Sequence, residues 1–144
     1  MITELRKRDF LISTNKRKLQ IKTIHGFLTK SYWSTGISVA KVRKSISHSV
    51  CFGIYHKKKQ IGFARVITDF VRFGYLADVF VAEEYRGRGL SKWLMKCILE
   101  NRELKHLQTW MLATRDAHGL YSQFGFEPLN EPKKYMRKQN YSSR

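Results

Sequence analysis

In the run VAEEYRGRGLSKWLM, from Val81 to Met95, four residues could do chemistry by their type and spacing: Arg86, Gly87, Arg88 and Gly89. Glycine weakens helix and strand alike, so two of them one residue apart mark a backbone that bends sharply or lets something approach closely. The alternating arginines indicate that the something is negative. A glycine-rich turn between strand and helix leaves several N–H groups unpaired and aimed one way. The helix dipole adds partial positive charge, so a phosphate fits there. Read alone, the turn is a weak signal that many basic surface corners share, and it matches neither GxxxxGK[ST] nor GxGxxG. A second candidate is Asp78, an acidic residue inside the apolar stretch GYLADVFVA. Such a carboxylate either takes up a proton in a reaction or pairs with a cation or a backbone N–H.

The elements that must place these residues can be read from periodicity. DFLIST (9–14) reads as a short strand, with Thr14 or Asn15 capping a helix over 16–32 that carries Leu19, Thr23, Ile24, Phe27 and Leu28 at helical spacing. Ser34-Thr35-Gly36 is a turn, and a second helix over 38–47 carries Val39, Val42 and Ile46. The period then changes to strands over 49–56 and 60–69, joined through Lys57-Lys58-Lys59, which make a solvated hairpin tip that resists edge pairing. A third strand over 74–82 runs into the glycine turn, followed by an amphipathic helix with Leu90, Trp93, Leu94, Cys97 and Ile98. LQTWMLA (107–113) has the near-continuous apolarity of a strand buried on both faces. A short helix over 117–124 is stopped by Gly125, and 126–129 with 135–137 would supply a last strand. This order predicts a mixed α/β domain spanning 1–144, an antiparallel meander followed by a crossover helix to a parallel neighbour, with residues 138–144 frayed.

Composition bounds the answer. The 144 residues are 42% hydrophobic and 13% aromatic, enough for one folded core. The balance of 28 Lys+Arg against 11 Asp+Glu gives a net charge of +17, which attracts polyanions such as nucleic acid, an anionic surface or a phosphorylated cofactor, or serves solubility alone. Cys51 and Cys97 lie in apolar periodic segments and read as packed thiols. Without CxxC or a Cys/His cluster, no disulfide framework and no metal is expected. The N-terminus has no signal-peptide core and no apolar run nears the roughly 18 residues that span a bilayer, so a soluble cytoplasmic protein without a membrane partner is expected. No nucleophile elbow occurs, which leaves no Ser-His-Asp or Cys-His arrangement indicated.

Together, the DVFV strand, the turn and the later LYSQFGF resemble the GNAT superfamily of acetyl-CoA-dependent N-acetyltransferases. That family's phosphate-loop pattern, R/Q-x-x-G-x-G/A, is met from Arg86 through Ser91 as RGRGLS, departing at Ser91, where Gly or Ala is usual. LYSQFGF meets L-Y-x-x-x-G-F without departure, and ATRDAHGLYSQFGF is similar to the same run in small bacterial members of unassigned substrate. The likeness is carried by residues 52–126, and the first two helices agree in order and length.

The resemblance implies a GNAT-like domain, its mostly antiparallel sheet splayed around a CoA cleft with helices on both faces. It implies transfer of an acetyl group from acetyl-CoA to a primary amine by direct attack. Arg86, Gly87, Arg88, Gly89, Leu90 and Ser91 would hold the diphosphate, and the backbone of Val79, Phe80 and Val81 would pair with the pantetheine arm and polarise the thioester carbonyl. Thr114 stands where an Asn commonly contacts the pantetheine. Tyr121 occupies the position of the acid that protonates the leaving thiolate, although by type alone it also fits a core with Leu120, Phe124 and Phe126. Asp78 matches the second acidic position of the E-D-x-F-V stretch of polyamine-type members, the first being Ala77 here. Tyr75 would share a face with Ala77 and line the acceptor cleft or relay a proton. Tyr32 and Trp33, in the connection between the first two helices, would clamp a substrate or plug the space between helices. His118 is either a titrating neighbour of the cofactor or a surface histidine.

Two other functions compete: a basic nucleic-acid-binding module, and a GNAT-like protein that binds CoA or acyl-CoA without catalysis. The cations are spread along the chain rather than gathered in a recognised motif, so no specific nucleic acid is expected as a partner. The acceptor is a small molecule or a peptide, and the protein a monomer or homodimer.

Overall fold

Three antiparallel strands, Val50–His56 (β3), Lys59–Thr68 (β4) and Phe73–Val81 (β5), form the centre of the protein in a computed structural model that describes residues 1–140. β3 is buried along nearly its whole length, because helices cover both faces of the sheet. On one face Leu94, Met95 and Ile98 of helix α3 (Leu90–Glu100) pack on Phe52, Ile54, Ile61, Ala64, Val66 and Leu76. On the other, Ile24 and Leu28 of α1 (Ile21–Leu28) and Val42 and Ile46 of α2 (Val39–Ser47) pack on Cys51, Phe63 and Phe80. Two such layers against one sheet are what the period-3.6 and period-2 patterns require.

The sheet has six strands in chain order. It begins with Glu4–Lys7 (β1) and Phe10–Ser13 (β2) and ends with Thr109–Met111 (β6). All pairs are antiparallel except the last, where α3 carries the chain across so that β6 runs parallel to β5. The β5–β6 pairing consists of Phe73↔Thr109, Gly74↔Trp110 and Tyr75↔Met111. Past Tyr75, β5 continues to Val81 while the segment after β6 leaves toward helix α4 (His118–Ser122), which opens a wedge at the end of β5 that meets the glycine turn.

Four expectations are corrected. β1 was not anticipated, because ELRK is exposed at every position and carries no apolar alternation. The first helix is shorter than 16–32: a single 3-10 turn at Lys16–Lys18 precedes α1. Gln20 interrupts it by clasping the sheet; its backbone N–H donates to Gln60 Oε1 at 2.7 Å, its Oε1 accepts from Gln60 N–H at 3.0 Å, and its amide donates to Lys58 O. β6 is only Thr109–Met111 and is a half-exposed edge rather than a strand buried on both faces. Residues 126–129 and 135–137 form no strand beside it; Pro128 and Pro132, which lack N–H donors, interrupt this stretch, and a 3-10 turn occupies Pro132–Lys134. Of the end expected to fray, 138–140 are exposed and irregular, and 141–144 lie outside the described residues. Both cysteines are free and buried, and burial pushes each thiol up to about 11.

Candidate functional site

The turn between β5 and α3 is built as its sequence dictates. Gly87 and Gly89 both take φ +77, the left-handed region that L side chains enter only at a cost, and nothing lies within 4 Å of where a Cβ would stand. Gly89 is the residue before α3, so the helix opens with no side-chain cap and its first N–H groups face outward. The arginines are held in place: Arg86 Nε donates to Val81 O at 3.0 Å, and Arg88 lies over the Tyr85 ring at 5.1 Å. Val81, Arg86, Gly87, Gly89, Leu90, Ser91 and Lys92 line a cavity of about 280 Å³ whose far wall is Leu120 of α4. This cradle therefore touches the element that carries Tyr121. Changing Gly87 or Gly89 to Ala is expected to lower the unfolding free energy by ~1–2 kcal/mol in urea denaturation, purely through backbone strain, since no atom is in the way.

On β5, Asp78 and Val79 together oppose the single Ala64, because the β4–β5 register shifts between Phe63 and Arg65. The result is a bulge, with Asp78 at φ +54, a conformation that Asp tolerates better than most residues. Its carboxylate is fully engaged. Oδ2 accepts from Arg65 Nε at 2.6 Å and Oδ1 from the Trp33 indole N–H at 2.9 Å, while Arg65 also donates to Ser49 Oγ. Of the two readings open for Asp78, the geometry is that of a paired carboxylate. A bulge leaves one residue without a cross-strand partner and bends the strand, here within the stretch Asp78–Val81 that should face a ligand.

Tyr121 is buried on α4, its ring edge-on to Phe126 with centroids 6.0 Å apart. Burial first, then the nearby Tyr32 and Asp116, push its phenol up to about 12, so it stays protonated throughout the physiological range. Thr114 Oγ1 accepts from Ala117 N–H at 3.0 Å and so starts the turn that presents α4. His118 is exposed. Tyr121, His118 and Thr114 line a larger apolar cavity of about 730 Å³ between β6, α4 and the segment through Leu129, not the glycine cradle. Charge and unpaired backbone groups lie at the smaller cradle instead, so the anion-holding groups and Tyr121 line two different hollows that α4 separates.

The α1–α2 connection spans the wedge. Trp33 reaches the Asp78 bulge on one side; on the other, Tyr32 Oη accepts from Arg115 N–H at 3.1 Å while the Arg115 guanidinium lies 3.8 Å from the Tyr32 ring. Tyr75 is half-buried, opposite Ile67 on β4 and Met111 on β6. Asp69 is elsewhere: it accepts from the N–H groups of Val71, Arg72 and Phe73 in the β4–β5 turn, which holds its carboxyl below the usual range. Sequence reasoning missed Arg65 and Arg115. Arg65 carried a signal, as the one cation inside the apolar run IGFARVI. Among the described residues, no group of three or more His, Cys, Asp or Glu could hold a metal, and no helix is long and apolar enough to cross a membrane.

Against known proteins, the sequence pattern of the acetyltransferase (GNAT) domain matches residues 47–128. A curated Gibberella zeae protein whose name places it among acetyltransferases is 30% identical, over 78% of this chain and 76% of its own. A GNAT-family crystal structure from Xanthomonas campestris pv. campestris is 42% identical with a TM-score of 0.88, covering 91% of this chain and 93% of that one. A Clostridium acetobutylicum protein crystallised with acetyl-CoA shares the fold at 12% identity, with a TM-score of 0.63 over 96% of this chain and 95% of its own.

Proposed function

The chain belongs to the GNAT acetyltransferase family, and from that premise we propose that it moves an acetyl group from acetyl-CoA to a primary amine by direct attack, without a covalent enzyme intermediate. It is an acyltransferase; the acceptor and the mechanism are our reading. One observation carries that reading: the glycine cradle lies at the end of β5 where β6 departs, and its far wall is Leu120 of α4, the residue before the buried, protonated Tyr121. The residues present fit the ligand, since two glycines leave open space where side chains would stand and two anchored arginines flank them. The shared fold of the acetyl-CoA-bound Clostridium protein supports the same ligand here.

When bound, acetyl-CoA supplies the activated thioester carbonyl and a thiolate leaving group. Arg86, Gly87, Gly89, Leu90 and Ser91 bind the diphosphate through backbone N–H groups, the helix start and the Arg86 guanidinium, whereas Arg88 lines the neighbouring hollow instead. The bulged stretch Asp78–Val81 presents main-chain groups to the pantetheine arm, and one N–H there polarises the carbonyl. Thr114 flanks the same arm from the β6–α4 turn. Tyr121 donates its proton toward the leaving sulfur. Asp78 acts as a positioning residue, because Arg65 and Trp33 occupy both oxygens; the proton of an entering ammonium then leaves to water. Tyr32, Trp33 and Tyr75 shape the acceptor side. With the Arg115 guanidinium over Tyr32, and the Arg65 charge balanced by Asp78, they favour an amine borne on a neutral or anionic molecule over a polycation.

The test is thiol release from acetyl-CoA across a panel of amines, with calorimetry of CoA binding alongside. Turnover with at least one amine is expected. Absence of CoA binding would defeat the reading, and binding without turnover by any amine would leave a carrier rather than an enzyme acting on amines.

A further inference from the structure

The net charge of +17 is more than one diphosphate requires, and part of it is gathered at one end of the sheet. The β1–β2 turn abuts the β3–β4 turn, where Lys57 N–H donates to Asp9 O at 3.2 Å. The cradle joins the same end, through Ala82 N–H to Ile61 O at 2.7 Å and His56 Nδ1 with Tyr85 Oη at 2.9 Å. Between the β1–β2 turn and the start of α3 lies a cavity of about 450 Å³ lined by Lys7, Arg8, Phe10, Arg88, Gly89, Leu90 and Trp93. It shares Gly89 and Leu90 with the cradle, so the two hollows meet across the first residue of the helix.

This lining has a definite chemistry: three cations, no carboxylate and two aromatic side chains. Among the described residues neither Lys7 nor Arg8 has an ion-pair partner, while Arg88 is fixed by the Tyr85 ring and by a bond to Glu84 O at 3.4 Å. Unneutralised like charges around one hollow repel one another, and an anion relieves that repulsion. Arg8 adds a conformational argument. It stands at φ +57 in the two-residue β1–β2 turn, where glycine would sit at less cost. The chain therefore carries a long cation where the backbone would prefer no side chain. Lys57 does the same in the neighbouring turn, at φ +58, on the same basic rim.

We propose that Lys7, Arg8 and Arg88 form a subsite for a phosphate monoester one ribose removed from the diphosphate, the 3′-phosphate of the CoA adenosine, with Phe10 and Trp93 as the apolar wall. This rests on the CoA reading of the cradle. A doubly charged monoester makes stronger charge-assisted bonds than a bridging diphosphate oxygen, and guanidinium groups suit it best. In such a subsite the β1–β2 turn selects which nucleotide end is accepted.

Calorimetry with CoA and with 3′-dephospho-CoA at fixed ionic strength tests it, using the wild-type protein and the Lys7→Gln/Arg8→Gly variant. The glycine removes the cation and relaxes the turn, so the variant should fold, as a thermal melt will verify. The wild type is expected to bind CoA about tenfold tighter than dephospho-CoA or more, the scale of one charge-assisted bond. In the variant the preference should fall to about twofold or less, with dephospho-CoA binding unchanged, since two of the three cations are gone. Equal binding of the two compounds by wild type overturns the subsite alone, as does a preference that survives in the variant. Failure of both compounds to bind overturns the CoA reading and the subsite with it.

Discussion

Replacing Tyr121 with Phe is expected to lower kcat by about 10²-fold or more while leaving the KM for acetyl-CoA near its native value. The substitution removes one oxygen and keeps the ring, which is buried and packed edge-on against Phe126. No hydrogen bond holds that hydroxyl among the described residues, so stability should change little, and a fall in rate reports on chemistry rather than on folding. The sign of the pH dependence follows from the same environment. Burial disfavours the phenolate and raises the phenol to about 12, so the donor is present at neutral pH and is lost only as pH climbs toward that value. A rate profile should therefore rise with pH as the amine deprotonates and show no alkaline descent assignable to Tyr121 below about pH 11. An unchanged kcat in the Phe variant would remove Tyr121 from the mechanism.

Asp78→Ala should cost about 3 kcal/mol of unfolding free energy, the largest stability effect anticipated at the site. The side chains of Arg65 and Asp78 are 17% and 8% exposed, so removing the carboxylate strands a guanidinium that water reaches poorly. The Trp33 indole loses its acceptor in the same step, loosening the α1–α2 connection from the bulge. Pairing the change with Arg65→Met removes the stranded charge, and the double variant should recover more than half of the loss. A double-mutant cycle in urea measures this, and additivity of the two single effects would sink the idea. Activity gives an independent reading. If Asp78 positions the cleft, part of the lost kcat returns in the double variant; if its carboxylate takes the substrate proton, none does.

The parts of the site that sequence revealed are those whose physics is contiguous. Gly87 and Gly89, one residue apart at a strand-to-helix junction, permit the left-handed backbone the turn takes, and Arg86 and Arg88 bring the field with them. Tyr121 was legible through a spaced pattern that also fixes Gly125, at φ +88, just past the end of α4. What escaped depends on register. Arg65 meets Asp78 only because a bulge sets two residues of β5 against one of β4, and nothing in either strand alone records that offset. Tyr32 and Arg115 are separated by most of the chain. The first helix was overextended because Gln20 fits a helical run locally, whereas its backbone N–H and side-chain oxygen pair with Gln60 and its side-chain NH2 donates to Lys58 O. LQTWMLA misled for a different reason. Its Leu107 is core, but Trp110, Met111 and Leu112 face a cavity at the sheet edge, so high apolarity did not mean two covered faces.

The short β5–β6 pairing has a consequence for how the molecule breathes. Three residue pairs attach β6 to the sheet, against ladders of four or more elsewhere, and no strand backs its outer edge among the described residues. Local opening free energies follow such differences, so the amides of Thr109 to Met111 should open to solvent well before those of β3 and β4. The seam that yields first is then the one from which the acyl-transfer wedge departs. A ligand gripping both walls would close that seam, turning the least protected part of the sheet into a place where occupancy is felt as rigidity.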